Sequence, residues 1–493
     1  MSELGPPMAN RDSIHDRGTT ITATRPVEPG AAPPVAEDAG LSRWIPALAV
    51  VVVWVVIHYF TKGNNTLALP GREHTDLHQS LTDLNNTLLA SRDTNPVMQF
   101  TNSISEVLRD LFDWVQRMVA RPNLPRPVPE IGWLGVIAIA TWVGYAIASW
   151  RIAVLVLVSF LSFGVFGYWQ DSIDLLIVTG MAVGIAVIVG MPLAVLAGTS
   201  PRANKVITVA LDFMQTMPTF VYLVPVVLFF GIGVGGAVVS TLIYAVPPLV
   251  RIASFGIREV STTTIEATDS SGQTYWQRLL KVQLPMARKT IIVGLNQTTL
   301  AALSMATIAS YINGPGLGKP VLNALVANDF GGSFVPGVLI VVMAVMLDRT
   351  TTAASERSEK VARGGGGNVR LHRMILAGSG LVALVAVYLS RRELSLAEFP
   401  KYSAGAKVAD AADNAMGGVV DVVGGLASSI KDRLTDWFLN PMQSLLAESP
   451  WWLAGLAIAA LAFVFGGVRA LVTTVVCLAG IWYLDLWHDA MIT

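Results

Sequence analysis

The chain has 493 residues, 53% of them hydrophobic and only 14% charged, with a mean hydropathy of +0.56 and a formal net charge of zero. A soluble domain carries about a quarter charged residues, and balanced charge gives no electrostatic case for nucleic-acid binding, so both classes are set aside. The single cysteine, Cys477, has no disulfide partner and no Cys/His cluster points to a metal. In its apolar run it reads as a small buried hydrophobe.

Residues 1–43 are rich in Pro, Ala, Asp and Arg without an apolar face, the composition of a disordered cytoplasmic tail. The first apolar run begins near Trp44, too late and too long for a cleaved signal peptide, so it reads as a retained signal anchor. Segment 44–130 continues as an external stretch. Within 100–118, Phe100, Ile104, Val107, Leu108, Leu111, Val115 and Met118 recur at helical spacing, with Asp110, Asp113 and Arg117 elsewhere on the wheel. This is a helix lying on the outer membrane surface or packing on a bundle.

Spans are expected at 44–61, 131–149, 152–169, 174–198, 206–231, 237–257, 290–312, 333–347, 374–390, 451–468 and 470–487. Several are runs of 17 or more residues, enough for a hydrocarbon core about 30 Å thick, and all are read as helices, because lipid satisfies no backbone polar group. The fold class is therefore an all-α polytopic membrane protein with about eleven transmembrane helices. With the N-terminus inside, the inner connections collect Arg151, Arg202, Lys205, Arg258, Arg278, Lys281, Arg288 and Lys289, then Arg349 to Arg373 and Arg469. The short outer ones hold only Lys319; Arg391 and Arg392 are the one local conflict. His58 and Asp485, near span ends, read as solvated, and Asp212 reads as an interfacial ion pair with Arg202 or Lys205.

Between two apolar spans lies the polar loop 260–289. It contains Glu266-Ala267-Thr268, three residues, Gly272, nine residues, then Val282-Gln283-Leu284-Pro285. A turn of helix near Glu266, a break at Gly272 and a second helix through Trp276–Val282 form a short helix–turn–helix, with Pro285 leading into the next span. Ala267, Ser270, Ser271 and Gly272 allow close approach by a partner, and Tyr275 and Trp276 are anchors for a pocket.

The spacing resembles the EAA loop of binding-protein-dependent ABC importer permeases, with Thr268 replacing the second Ala. The stretches 214–233, 247–260 and 296–322 resemble the glycine betaine/proline betaine permeases of the osmoprotectant-uptake group, except for Thr299-Leu300-Ala301-Ala302 where that group usually carries a bulkier run. The resemblance implies a type I importer transmembrane domain over 131–348 in a bacterial inner membrane, multi-pass, taking a quaternary or methylated ammonium compound. It further implies that Glu266, Ala267, Gly272, Tyr275, Trp276, Leu284 and Pro285 couple to an ATPase. It also implies three kinds of partner: ABC ATPase subunits carrying ATP and Mg, a periplasmic or lipid-anchored substrate-binding protein, and a second permease unit, as a homodimer. No cofactor is bound directly and the chain itself is a transport subunit, not an enzyme.

Pathway-lining candidates are the polar or helix-breaking residues inside spans: Gln215, Thr216, Pro218, Asn296, Gln297 and Ser304. Asn296 and Gln297 serve equally well as interhelical hydrogen-bonding groups. Pro218 and Pro225, and then Pro247-Pro248, are expected to interrupt their spans, which is tolerable where helices line a cavity. Gly314-Pro-Gly-Leu-Gly318-Lys319-Pro320 has three residues where a phosphate-binding loop needs four, and Pro320 replaces the Mg-binding hydroxyl residue.

Residues 44–173 have an echo at 372–493. "WLGVIAIATWVGYAIASWRIAVLV" from Trp133 answers "WLAGLAIAALAFVFGGVRALVTTV" from Trp452, and Trp169 answers Trp487. A charged linker, 349–373, with Gly364–Gly367 at its centre, leads to an incomplete second permease repeat, 374–493, which stops before its own copy of the loop. Two other readings stand beside this one. An ion-coupled secondary transporter needs mid-span carboxylates and repeats across the whole core; a non-transporting membrane scaffold needs neither. Within the importer class, choline and trimethylamine N-oxide stand beside glycine betaine as substrates.

Overall fold

The computed structural model describes residues 39–67, 76–122, 128–362, 369–393, 396–400, 402 and 404–493. The tail expected over 1–43 falls almost wholly outside them, as does the run Gly364–Gly367. Among the described residues there are helices and no strand, as lipid requires of a spanning chain that does not close a barrel. In chain order they are α1 (Ala39–Thr61), α2 (Asp76–Ala90), α3 (Pro96–Val119), α4 (Gly132–Ile147), α5 (Trp150–Val165), α6 (Trp169–Thr199), α7 (Pro201–Thr216), α8 (Thr219–Phe230), α9 (Val234–Arg258) and α10 (Thr262–Ser270). They continue as α11 (Tyr275–Arg278), α12 (Leu284–Ile308), α13 (Gly318–Val326), α14 (Phe330–Ala362), α15 (Val369–Arg392), α16 (Ala404–Leu434), α17 (Asn440–Ala447), α18 (Trp451–Tyr483) and α19 (Trp487–Ile492).

Among the described residues, seven helical stretches are long and apolar enough to cross a membrane, eight if α7 and α8 count as one broken span; α4 and α5 are shorter apolar helices. The expected spans fall on helices, except that 206–231 is divided between α7 and α8 and that 451–468 and 470–487 share α18, which ends at Tyr483. The break between α7 and α8 bends the chain by 102° at Met217–Pro218. Met217 is extended, at φ −68° and ψ 133°, which is the conformation a following proline imposes. Pro225 stays inside α8, and Pro247 and Pro248 stay inside an unbroken α9. The expected interruption there does not occur, because α9 is packed against both α6 and α12 and its neighbours Val246, Leu249 and Val250 are buried. In α18 the helix breaks at Gly467, at φ 69°, the position that answers Ser149 between α4 and α5 in the repeat.

Helix α14 outruns its expectation. The span read as 333–347 continues through the start of the supposed linker to Ala362. Arg357 explains why: its guanidinium donates at 2.9 Å to the carbonyl oxygens of both Tyr145 and Ala148, capping the end of α4 where carbonyls lack helical partners.

Helix α3 packs on the bundle, but by a different face. Its buried stripe is Met98, Thr101, Ser105, Leu108, Phe112 and Gln116, while Phe100, Val107 and Leu111 are exposed. Small side chains permit the contact: a Cβ on Gly235 of α9 would lie 2.0 Å from Ser105 Oγ. At the buried end, Gln116 Nε2 donates to Asp174 Oδ1 of α6 at 2.5 Å.

Contacts divide the chain into two compact units, one drawn from Met1–Thr75 with Leu434–Thr493, the other Asp76–Arg433. This division differs from one drawn at the linker. In the first unit α1 packs on α18, with Trp54 Nε1 donating to Ser449 Oγ at 3.2 Å and His58 Nδ1 2.8 Å from the same hydroxyl. His58 is thus a packed residue rather than a solvated one. In the second unit α15 packs on α4, with Trp142 Nε1 donating to Leu376 O at 3.0 Å. Cys477 is free and exposed, beside exposed Val475 and Val476, because nothing described covers that face of α18.

Replacing Gln116 by Leu removes the donor and leaves a buried carboxyl unpaired, at a cost of about 1–3 kcal/mol. The expected result is a lower Tm of the detergent-purified protein, largely recovered in Gln116→Leu/Asp174→Leu. Equal losses in the single and double variants would show that the pair itself contributes nothing.

Candidate functional site

The loop between α9 and α12 is built from local signals. Ser261 caps α10, its hydroxyl accepting from Thr264 N at 3.3 Å. The helix ends at Gly272, which sits at φ +71° with nothing within 4 Å of where a Cβ would be. The left-handed backbone, not crowding, selects glycine there. Thr274 and Gln277 then form a reciprocal capping box that opens α11. A π-helical turn, Leu279–Gln283, joins α11 to α12. The wider turn accommodates Pro285, whose ring and missing N–H disrupt ordinary i→i−4 bonding. The expected helix–turn–helix is present, but Pro285 lies inside one continuous rod rather than at a stop.

The loop is braced from three directions. Arg278 forms a two-pronged ion pair with Asp269, at 2.6 and 2.8 Å, across the Gly272 turn, and its guanidinium lies 5.8 Å from the Tyr275 ring centroid. Tyr275 Oη donates to Thr199 Oγ1, at the end of α6, at 3.3 Å. At the end of α9, Arg258 donates to Ala197 O at 3.2 Å and to Asn204 Oδ1 at 2.5 Å, fixing the corner between α6 and α7. Onto this base the loop presents Glu266, Ala267, Gly272, Tyr275, Trp276 and Pro285 as exposed residues, with Leu284 half-buried. Trp276 is 66% exposed, with its ring edge-on to Tyr275 at 5.4 Å.

The pathway candidates separate. Gln215, Thr216 and Pro218 are exposed at the α7–α8 elbow, and Gln297 and Ser304 are exposed along α12. With Val293 they fall at the i, i+4, i+11 positions of a single helix face. Asn296 points elsewhere. Its amide nitrogen donates to Asp348 at 2.8 Å and its oxygen accepts from Thr351 at 2.7 Å, so it ties α12 to α14. Asp212 pairs with Arg251 of α9, not with Arg202 or Lys205. An arginine inside an apolar span was the overlooked signal, since such a charge needs a partner. The Asp269–Arg278 pair was also overlooked; opposite charges flanking a glycine turn were its trace. The glycine-rich turn after α12 is packed tight, with a Cβ on Gly316 lying 2.9 Å from Leu175 Cβ, and offers no cradle for phosphate.

The family described as "Binding-protein-dependent transport system inner membrane component" matches residues 186–359, from within α6 to near the end of α14. The chain is 40% identical over 262 residues to the glycine betaine/carnitine transport permease protein GbuB of Listeria monocytogenes serotype 1/2a (strain 10403S), covering 52% of this chain and 89% of that one. It is 42% identical over 214 residues to the glycine betaine transport system permease protein OpuAB of Bacillus subtilis (strain 168), covering 43% and 74%. It is 32% identical over 381 residues to the trimethylamine N-oxide transport system permease protein TmoV of Ruegeria pomeroyi (strain ATCC 700808 / DSM 15171 / DSS-3), covering 76% and 56%. With its braced loop and broken span on an all-helical multi-pass frame, the chain belongs to the binding-protein-dependent transport family, as a permease subunit of the ABC importer type.

Proposed function

We propose that the chain is the membrane pathway of an ATP-driven importer for a methylated ammonium compound, glycine betaine first. The observation that carries this reading is the exposed, triply braced loop between α9 and α12. Only a rigid element can pass a displacement from a docked ATPase into two membrane helices, and bracing of this kind is wasted on a passive connector. Glu266, Ala267, Gly272, Tyr275 and Trp276 form the docking face, while Leu284 and Pro285 carry the motion into α12. ATP and Mg belong to the ATPase partner. A substrate-binding protein delivers the solute from outside, a second permease unit supplies the other wall, and Gln215, Thr216, Pro218, Gln297 and Ser304 face the path.

The substrate assignment rests on relatives named for glycine betaine at 40% and 42% identity. Trimethylamine N-oxide is the second reading, because the relative named for it aligns with 76% of this chain, further than those two. Residues 349–373 act as the connection to the second repeat, and the N-terminus lies in the cytoplasm.

Two outcomes are expected. In a complex with its ATPase, Trp276→Ala removes a central anchor, lowering ATPase retention and betaine uptake about thirtyfold or more. Gly272→Val forces a β-branched residue into a left-handed conformation at a cost of about 1–2 kcal/mol and lowers uptake in proportion to loop disorder. Uptake that persists in cells lacking any ATPase partner would sink this reading. For orientation, Cys477→Ser supplies a cysteine-free background. A maleimide that does not cross membranes is expected to label Ala327→Cys from outside in intact cells and Ser271→Cys only after lysis. The opposite labelling inverts the topology.

A further inference from the structure

Phe220, at the start of α8, and Tyr311, in the turn that follows α12, have ring centroids 5.2 Å apart and planes at 88°. Both are more than half exposed, at 53% and 57%. The two rings form a corner and meet edge to face, so one face is covered by its neighbour's edge, while more than half of each side chain stays accessible. Neither ring fills the interior, which is left to Tyr222, Leu223 and Val226 on α8 and to Ser310 and Ile312 on either side of Tyr311. The backbone beneath is fixed: Gly233 N–H donates to Ile312 O at 3.0 Å, Asn313 N–H to Ser310 O at 2.9 Å and Gly314 N–H to Ala309 O at 3.0 Å. The corner is preformed. It stands at the end of α12 opposite the coupling loop, about two turns beyond Ser304 and four beyond Gln297.

A nitrogen carrying three methyl groups and a positive charge has no N–H to donate, so hydrogen-bond acceptors do not single it out. A ring face does, attracting a cation within about 6 Å of its centroid. The relatives' names pair glycine betaine, carnitine and trimethylamine N-oxide with this kind of chain. Those compounds differ in the rest of the molecule and share the methylated head. A passage that serves such a series needs a step that reads the head alone.

We infer that the Phe220–Tyr311 corner is a passing site for the methylated ammonium head within the translocation pathway, an assignment that rests on the uptake function proposed above. The occupant is the solute; a second permease unit or a lipid chain seated against the same rings would need apolar bulk but not π faces. The test measures uptake of labelled glycine betaine by the complete complex, with its ATPase and binding protein, in proteoliposomes. Phe220→Leu and Tyr311→Leu keep apolar bulk and remove the ring, and each is expected to lower the uptake rate about tenfold. Tyr311→Phe, Tyr311→Trp and Phe220→Trp are expected to stay within about twofold of wild type, since any aromatic face attracts the cation. Leucine variants that transport at the wild-type rate overturn the inference. So do aromatic variants as impaired as the leucine ones, which would reveal shape-dependent packing instead. A wild-type complex that hydrolyses ATP but moves no methylated ammonium compound overturns the transport reading itself, and this site with it.

Discussion

The close approach of α6, α9 and α12 is the constraint on which the rest depends. In a membrane, apolar surface drives no association between helices, so contact comes from van der Waals packing, and glycine admits the closest approach. A Cβ on Gly256 would lie 2.6 Å from Thr290 Cβ, and one on Gly198 would lie 2.8 Å from Ile257 Cβ. These contacts sit at the ends of the helices that flank the loop. They hold the exit of α9, the entry of α12 and the end of α6 in one block, so that Tyr275 can reach Thr199 and Arg258 can reach Ala197. Further along, Gly190 against Leu249 and Gly294 against Ile252 continue the same seam at 3.1 and 3.3 Å. The loop between α9 and α12 is braced because the helices beneath it are in close contact.

The internal repeat acquires physical meaning from which spans pair. Helices α1 and α15 are the opening spans of the two copies, yet α1 packs on α18 and α15 on α4. Each opening span therefore serves the hairpin of the other copy. The polar details repeat too. Lys62, just past α1, pairs with Glu448 ahead of α18 at 2.9 Å, and Arg391, at the end of α15, pairs with Glu130 ahead of α4 at 3.4 Å. Trp451 N–H donates to Asn65 O, and Trp133 N–H to Ala397 O. Exposed ion pairs contribute about 0–1 kcal/mol each, so their value lies in register rather than stability. Arg391, which strained the charge-based orientation, is accounted for by Glu130.

Much of the loop was legible because its determinants are local. A glycine turn, a Thr–Gln capping box and a proline three turns later act through their own backbone. What escaped depends on which helix faces meet. Asn296 and Gln297 are neighbours in sequence, and only packing against α14 decides that one bonds Asp348 while the other stays exposed. Helix α3 shows the same limit more sharply. Of its expected apolar stripe Leu108 is buried, but Phe100, Val107 and Leu111 are exposed, while Thr101, Ser105 and Gln116 are buried beside it. Small and hydrogen-bonding residues make the closer helix contact, as Ser105 does against Gly235 and Gln116 against Asp174. Arg251 was overlooked for a related reason, since a single charge within an apolar run becomes intelligible only with Asp212 beside it.

The distribution of stiffness also constrains how such a permease could move. The loop, the end of α6, the exit of α9 and the entry of α12 are stapled by hydrogen bonds and glycine contacts. Helix α7 is different: of its residues only Leu211 is buried, in a small apolar cluster with Val246, Val250 and Ala253 of α9, and two polar ties also join it to α9, Asn204 to Arg258 and Asp212 to Arg251. It ends at Met217–Pro218, where the backbone has no continuous helical bonding to break. The residues gathered at this elbow, Gln215, Thr216 and Pro218, are exposed. The proline break at Met217–Pro218 thus ends a helix with a single buried residue, next to a block in which glycines hold α6, α9 and α12 in close contact.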